Sequence, residues 1–374
     1  MIFTKKVLPL YIVVVQKQTQ KENLMELAKI NSKYYCGVDL HDSNMYINIM
    51  KGDGEILLHK RIRNNFETFK AQTKKYLREM SVGVESTHNY YWFYDACQKE
   101  GIPFYLGHAY YLRAIRGKKK KDDKLDSRTL ADLMRTNFFP IGYPYPEEKR
   151  AIRDLLRRRY KLVRERAGFY NHIHLIHSQQ GILGLSSSEI KNKSERNELL
   201  DQFDNEEIKL ALLSDLNMTD HLDEEIKLIE KRIIEKAEID DEESYKLLHS
   251  YPGIGDIITL TILYEIDTIN RFPTVQKFSS YCRVVKTQRE SNRKRTDNKN
   301  QKIGNPYLKW AFSQAAVLAV KYSPEIKKYF EKLSKKMGER KARAVLRHRI
   351  AIAVYHTLSK KEPFNLEKFL LHNN

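Results

Sequence analysis

Cysteine is nearly absent from this 374-residue chain: Cys36, Cys97 and Cys282 lie far apart and form no CxxC pair. That argues against a disulfide framework and a thiolate zinc site, and it fits a reducing, cytoplasmic setting. Long apolar runs are lacking as well. The segment Val7 to Val15 (VLPLYIVVV) falls well short of the ~20 residues that a spanning helix needs. It follows Lys5 and Lys6 as a signal-peptide core would, but no small-residue cleavage site follows in QKQTQKEN, so neither secretion nor a membrane partner is expected. Met25 opens MELAKINSKYYCGVDLH, and residues 1–30 are expected to be a loose N-terminal extension or a translated upstream stretch.

Acidic residues are also in deficit, 48 Asp and Glu against 67 Lys and Arg, for a formal charge of +19. A field of that sign attracts polyanions, and nucleic acid is the expected partner. With 41% hydrophobic, 11% aromatic and 31% charged residues the chain reads as folded, and its length calls for two or three domains.

From Lys33 short apolar strands follow one another: YYCGVDL, MYINIM and ILLHKRI, with Gly52 and Gly54 marking a turn between the last two. Asn65 to Met80 then reads as a helix, SVGVEST as a buried strand, Tyr90 to Glu100 as a helix and IPFYLGH as a strand. A meander followed by alternating helices and strands predicts a mixed α/β sheet over residues 31–146, ending at Pro140, Pro144 and Pro146.

Residues 147–244 predict two long helices in a helical or coiled-coil region, Glu147 to about Gln180 and Glu206 to Ile239. In the second, Leu222, Ile226, Ile229 and Ile233 form a short heptad seam that fits either a hairpin within the chain or a dimerising coiled coil. Residues 245–374 read as a mostly helical third unit interrupted by a basic irregular stretch.

Four acids stand out for chemistry. Asp39 ends the first strand in GVDLH and Glu85 ends the strand VGVE, and strand C-termini are where open α/β sheets place their sites. Asp123 and Asp126 in KKDDKLDSRTLADL are three apart near a helix start, so they share one helix face. Each has a structural reading beside the functional one: Asp123 as an N-cap, Asp126 as a first-turn acid favoured by the helix dipole. Together, in so basic a chain, they suit Mg2+, a hard cation that takes oxygen ligands and serves phosphodiester chemistry. Asp122, in the same cluster, reads as a solvated bystander or a group outside the metal's direct ligands.

The ordered blocks GVDLH, ESTHNYYW, KKDDKLDSRTLADL, YPGIGDIITLTIL and GNPYLKWAFSQAA resemble the DEDD transposases of insertion-sequence family one-ten, in its one-triple-one branch, relatives of the Piv invertases. The resemblance runs from about Lys33 to the C-terminus. It implies a RuvC/RNase H-like catalytic domain at residues 31–146 whose metal ligands are Asp39, Glu85, Asp123 and Asp126. It further implies a C-terminal transposase domain at 245–374 with a serine nucleophile, at the position of Ser291 in TQRESNRKRT. Many members carry a Ser-Gly pair and an Ala-Gly-Leu run where this chain has Ser291-Asn292 and YCRVV. The resemblance also implies a non-coding bridge RNA that pairs with donor and target double-stranded DNA, and a homo-oligomer, a dimer or tetramer, in which ligands and serine of one site come from different subunits.

Arg289, Arg293, Lys294 and Arg295 flank Ser291, where cations hold DNA and stabilise developing charge; a serine in a basic loop is the plainer alternative. Between Gln276 and Phe312 stand ten Lys or Arg and two acids, a denser positive field than the chain average. Lys118, Lys119, Lys120 and Lys121 form a second patch. Arg157 and Arg158 head a basic ridge that is either a solvated helix face or a nucleic-acid track. Gly253 and Gly255 in PGIG read as a helix-hairpin-helix-like turn that brings backbone N–H groups to phosphate, or as a bare helix turn. Tyr90, Tyr91 and Trp92 read as core. The competing functions are a RuvC-like nuclease in which water attacks and Ser291 is idle, and a nucleic-acid-binding protein that does not cut.

Overall fold

Apolar alternation in YYCGVDL, MYINIM and ILLHKRI produces strands β1 (Tyr34–Leu40), β2 (Asn44–Lys51) and β3 (Ile56–Arg63), paired as an antiparallel meander. The computed structural model describes residues 27–116, 123–285, 288–291, 294–297 and 303–371; for 116, 123, 124, 237–240, 288–291 and 294–297 it describes the backbone alone. The chain divides into two units, Met1–Glu147 and Glu148–Asn374.

In the first unit β4 (Met80–Glu85) and β5 (Phe104–Gly107) join β1 in parallel, giving the order β3-β2-β1-β4-β5. Parallel neighbours need a crossover, supplied here by helices α1 (Phe66–Thr73) and α2 (Tyr91–Lys99). Both cover one sheet face, where Cys36, Val38, Ile47, Val82 and Val84 meet Phe69 and Phe93. These two phenyls are fully buried and pack edge to face at 4.9 Å, and each contributes about 1.5–3 kcal/mol of burial. Tyr90, Tyr91 and Trp92 belong to this core and its edge.

The opposite face carries α3 (Ala109–Arg116) and α4 (Asp123–Arg135), with Tyr35, Leu112, Leu130, Met134 and Phe139 between them and the sheet. Glycine is required here. A Cβ on Gly37 would stand 2.0 Å from the Ser127 carbonyl oxygen and 2.5 Å from the Ala131 nitrogen, so α4 lies with its backbone directly on β1. Gly83, the register partner of Gly37, makes the same room for Met134.

One expected helix is shorter than its periodicity suggests. Asn65 caps α1 by accepting from Thr68 N–H, but the helix stops at Thr73, a 3-10 turn follows at Leu77–Glu79, and Met80 opens β4 opposite Tyr34. Pairing with β1 and complete burial of Met80 outweigh the helical pattern.

The second unit is helical: α5 (Glu147–Gln179), α6 (Ser187–Lys191), α7 (Arg196–Leu200), α8 (Glu206–Asp240), α9 (Glu242–His249), α10 (Asp256–Ile266) and α11 (Val275–Tyr281), then α12 (Pro306–Tyr322), α13 (Pro324–Met337), α14 (Glu339–Lys360) and α15 (Leu366–Leu371). The α8 seam is occupied within the chain. Leu222 and Ile226 pack on Leu162, with Ile229 beside them, and Ile233 packs on Ile152 and Leu156. Of the two readings of that seam, this is the hairpin.

The basic stretch expected to be irregular contains a hairpin instead, β6 (Gln288–Ser291) paired antiparallel with β7 (Lys294–Asp297). Its strands carry no apolar alternation, so only backbone pairing marks them. Asn305 starts α12: its Oδ1 accepts from the N–H groups of Tyr307 and Leu308, and Pro306 follows in the first turn. No helix among the described residues is long and apolar enough to cross a membrane.

Candidate active site

The sheet register sets the first two acids. Gly37 pairs with Gly83 and Val38 with Val84, so Asp39 and Glu85 come next on adjacent parallel strands about 4.8 Å apart. Each is two residues beyond a glycine that faces α4, and the period of two puts both carboxylates on that same face. Helix α4 runs against β1: Tyr35 packs with Leu130 and Met134, and Gly37 meets Ser127. One step further along β1 is Asp39, and one step back along α4 is its first turn, with Asp126 and Asp123. The glycine contact therefore brings the helix start to the C-terminal edge of β1 and β4.

Asp39 is buried, 8% exposed, while Glu85 and Asp126 are half-buried. Asp123 opens α4, but its side chain is outside the described set. Among the described residues no group of three or more His, Cys, Asp and Glu is gathered closely enough to hold a metal ion. Asp39, Glu85 and Asp126 offer carboxylate oxygens, the donors a hard divalent cation takes.

One neighbour of this edge was not singled out from the sequence. His41 Nε2 lies 3.1 Å from Asp39 Oδ2. The signal was its spacing of two from Asp39, which puts both side chains on one face of an extended segment. On the helix side, Ser127 Oγ is 3.4 Å from His59 Nε2.

Ser291 is the last residue of β6 and pairs in register with Lys294; its side chain, like those of Arg289, Lys294 and Arg295, lies outside the described set, and Arg293 lies outside it altogether. The segment that carries the hairpin is closed at its base. Asn305 N–H donates to Tyr281 O at 2.6 Å, and Arg283 Nε donates to Gly304 O at 2.8 Å. Gly304, at φ +88°, would place a Cβ 2.5 Å from Tyr281 O, so no other residue fits this junction.

Three arginines of the α5 ridge have acidic partners within the chain. Arg157 donates through Nε and Nη2 to Glu265, at 2.7 and 2.8 Å, and lies 4.8 Å from the Tyr307 ring centre. Glu265 is 1% exposed and also accepts from Asn305 Nδ2 at 2.7 Å. Arg157 thus neutralises a buried acid, with about 33% of its own side chain exposed. Arg159 pairs with Glu230 and Arg166 with Asp223, while Arg158 is exposed. Lys118, Lys119, Lys120 and Lys121, with Asp122, lie outside the described residues.

The two PGIG glycines differ. Gly253 has φ +86°, and a Cβ there would stand 2.4 Å from Ala319 N, so its smoothness serves packing on α12. Gly255 is the N-cap residue of α10 with no side-chain cap, and its missing Cβ would meet open space.

The chain thus combines a mixed sheet that has carboxylates at the ends of two parallel strands with a helical unit that carries a basic hairpin. Residues 36–177 match the IS110-type DEDD family described as "Transposase", and residues 245–331 match "Transposase IS116/IS110/IS902 family". The two matches follow in chain order and together cover more than half of the sequence, and the chain belongs to the IS110 family of DEDD transposases. No curated protein matches it.

Proposed function

We propose that this transposase cuts and joins DNA strands with Mg2+ held by Asp39, Glu85, Asp123 and Asp126 and with Ser291 as nucleophile, directed to donor and target by a bridge RNA. The observation that carries the metal reading is the register: two carboxylates on neighbouring strand ends, on the face that α4 covers with its first turn. The strand order, with its antiparallel meander and two parallel additions, supports a RuvC/RNase H-like sheet.

Mg2+ bound to these oxygens would supply charge neutralisation at the scissile phosphate. Asp39 is held by its hydrogen bond to His41, and the buried edge limits water around it. Ser291 Oγ forms a bond to phosphorus as the bond to one deoxyribose oxygen breaks, and the serine proton ends on that oxygen. One phosphodiester is exchanged for another, so no energy-supplying co-reactant is required, and the reverse step joins a new strand. The cations around Ser291, and the α10 N-terminus at Gly255, hold phosphates without reading sequence. Guidance by RNA suits contacts of that kind. Strand exchange takes place in a homo-oligomer, a dimer or tetramer.

The test is Asp126→Asn. Recombination should fall at least about a thousandfold, since a lost metal ligand removes several kcal/mol of transition-state stabilisation, while DNA binding is retained. Activity that survives the substitution removes Asp126 from the metal set.

A further inference from the structure

Helices α13, α14 and α15 line an open cavity of about 1180 Å3 that the proposed chemistry does not use. Its mouth carries Lys332, Lys336, Lys360 and Lys368, all exposed, and none of the four ammonium groups has a hydrogen-bond or ion-pair partner among the described residues. Arg157, Arg159 and Arg166 of α5, by contrast, are matched to acids. Glu362 is the one carboxylate in the lining.

Deeper in, the surface is aromatic. The Tyr329 ring lies 4.8 Å from the Arg349 guanidinium, and Arg349 Nη1 donates to the Tyr329 hydroxyl at 2.5 Å. The same guanidinium is 5.2 Å from the Phe369 ring. Phe364 packs on Tyr251 at 4.2 Å, with its ring tilted by 31°. The Tyr251 hydroxyl is engaged by Thr357 at 2.7 Å, so this wall presents rings more than hydrogen-bonding groups.

We propose that this cavity binds a single-stranded segment of the substrate DNA, with bases against the Tyr329 and Phe364 rings and phosphates on Lys332, Lys336, Lys360 and Lys368. Unpaired bases stack on aromatic rings whatever their identity, and a row of lysines follows the backbone beside them. A duplex offers only its phosphates to such a trough and leaves the rings idle. Small-ligand pockets span about 300–1,000 Å3, so a larger open trough suits more than one nucleotide. DNA is the occupant because it is the substrate of the family; the inference does not depend on Ser291 or on the metal.

The experiment uses the full-length protein in EDTA, where binding is read apart from catalysis, with fluorescein-labelled oligo(dT) as probe. Lys332→Glu with Lys336→Glu should weaken binding at least about tenfold and lower the slope of log K on log salt by about 1.4, the loss of two single-strand phosphate contacts. Lys227→Glu with Lys231→Glu, on the exposed side of α8, makes the same charge change elsewhere and should leave affinity within about twofold. An oligonucleotide carrying 5-iododeoxyuridine should photocross-link to Tyr329 or Phe364. Equal weakening in both double variants reduces the effect to net charge and overturns the assignment. Cross-linking at neither ring, or tighter binding of oligo(rU) or an acidic peptide than of oligo(dT), overturns it too.

Discussion

At the scale of single residues, the arrangement around the carboxylates depends on a residue with no side chain. Gly37 is where the backbone of α4 touches β1, and the positions of Asp39 and Asp126 both follow from that contact. Gly37→Ala inserts a methyl 2.0 Å from a carbonyl oxygen of the helix, so α4 must move. The expected cost is about 1–3 kcal/mol, read from urea unfolding, together with loss of recombination. A variant of unchanged stability contradicts the direct contact. The acids were legible in the sequence because each ends a strand or starts a helix. The fate of Arg157 was not: its partner Glu265 is 108 residues away and sits inside the apolar run IITLTILYEI. Removing one member of such a pair leaves a buried charge uncompensated. Arg157→Ala should therefore destabilise the second unit by about 3 kcal/mol, measured in the same way. A stable variant with weakened DNA binding would instead assign Arg157 to the nucleic-acid track.

At the scale of elements, periodicity marked the long helices and the sheet strands, because each buries one apolar face. It gave no sign of β6 and β7, whose residues QRES and KRTD are polar throughout, and it extended α1 through the 3-10 turn to Met80, where β4 begins. The block GNPYLKW owes its form to structure: Gly304 turns the chain, Asn305 caps α12 and Pro306 begins it. Asn305 also gives a hydrogen bond to buried Glu265, so Asn305→Ala removes a cap and a donor together. The expected loss is about 2 kcal/mol, seen as a lower urea midpoint with an unchanged slope. No shift in the midpoint would separate the cap from the stability of this unit.

At the scale of the whole molecule, charge and acidity set the working range. With a formal charge of +19, binding to duplex DNA should fall by about a thousandfold between roughly 50 and 200 mM salt, as expected for six or more phosphate contacts. A flat titration contradicts a backbone-dominated interface. Burial, then the nearby Arg347 charge, pushes the His348 pKa below its usual value. The unfolded chain therefore binds a proton that the folded one refuses as pH drops below about 6.5, so stability rises with pH through that window and is lost on acidification. His348→Gln should flatten this dependence; an unaltered slope between pH 5 and 7 would assign the effect to other groups.

The family and the α/β class were legible from ordered blocks, while the division of chemistry between carboxylates and serine rests on resemblance, since no spacing along the chain links Asp126 to Ser291. The most direct measurement is a denaturing gel of labelled donor DNA incubated with the protein, the proposed bridge RNA and Mg2+. A DNA–protein adduct should form with the wild-type chain and be absent with Ser291→Ala, with Asp126→Asn and in EDTA. Cleavage by the Ser291→Ala variant, with no adduct at any time in the wild type, would mean that water attacks and that the serine has no part in the chemistry.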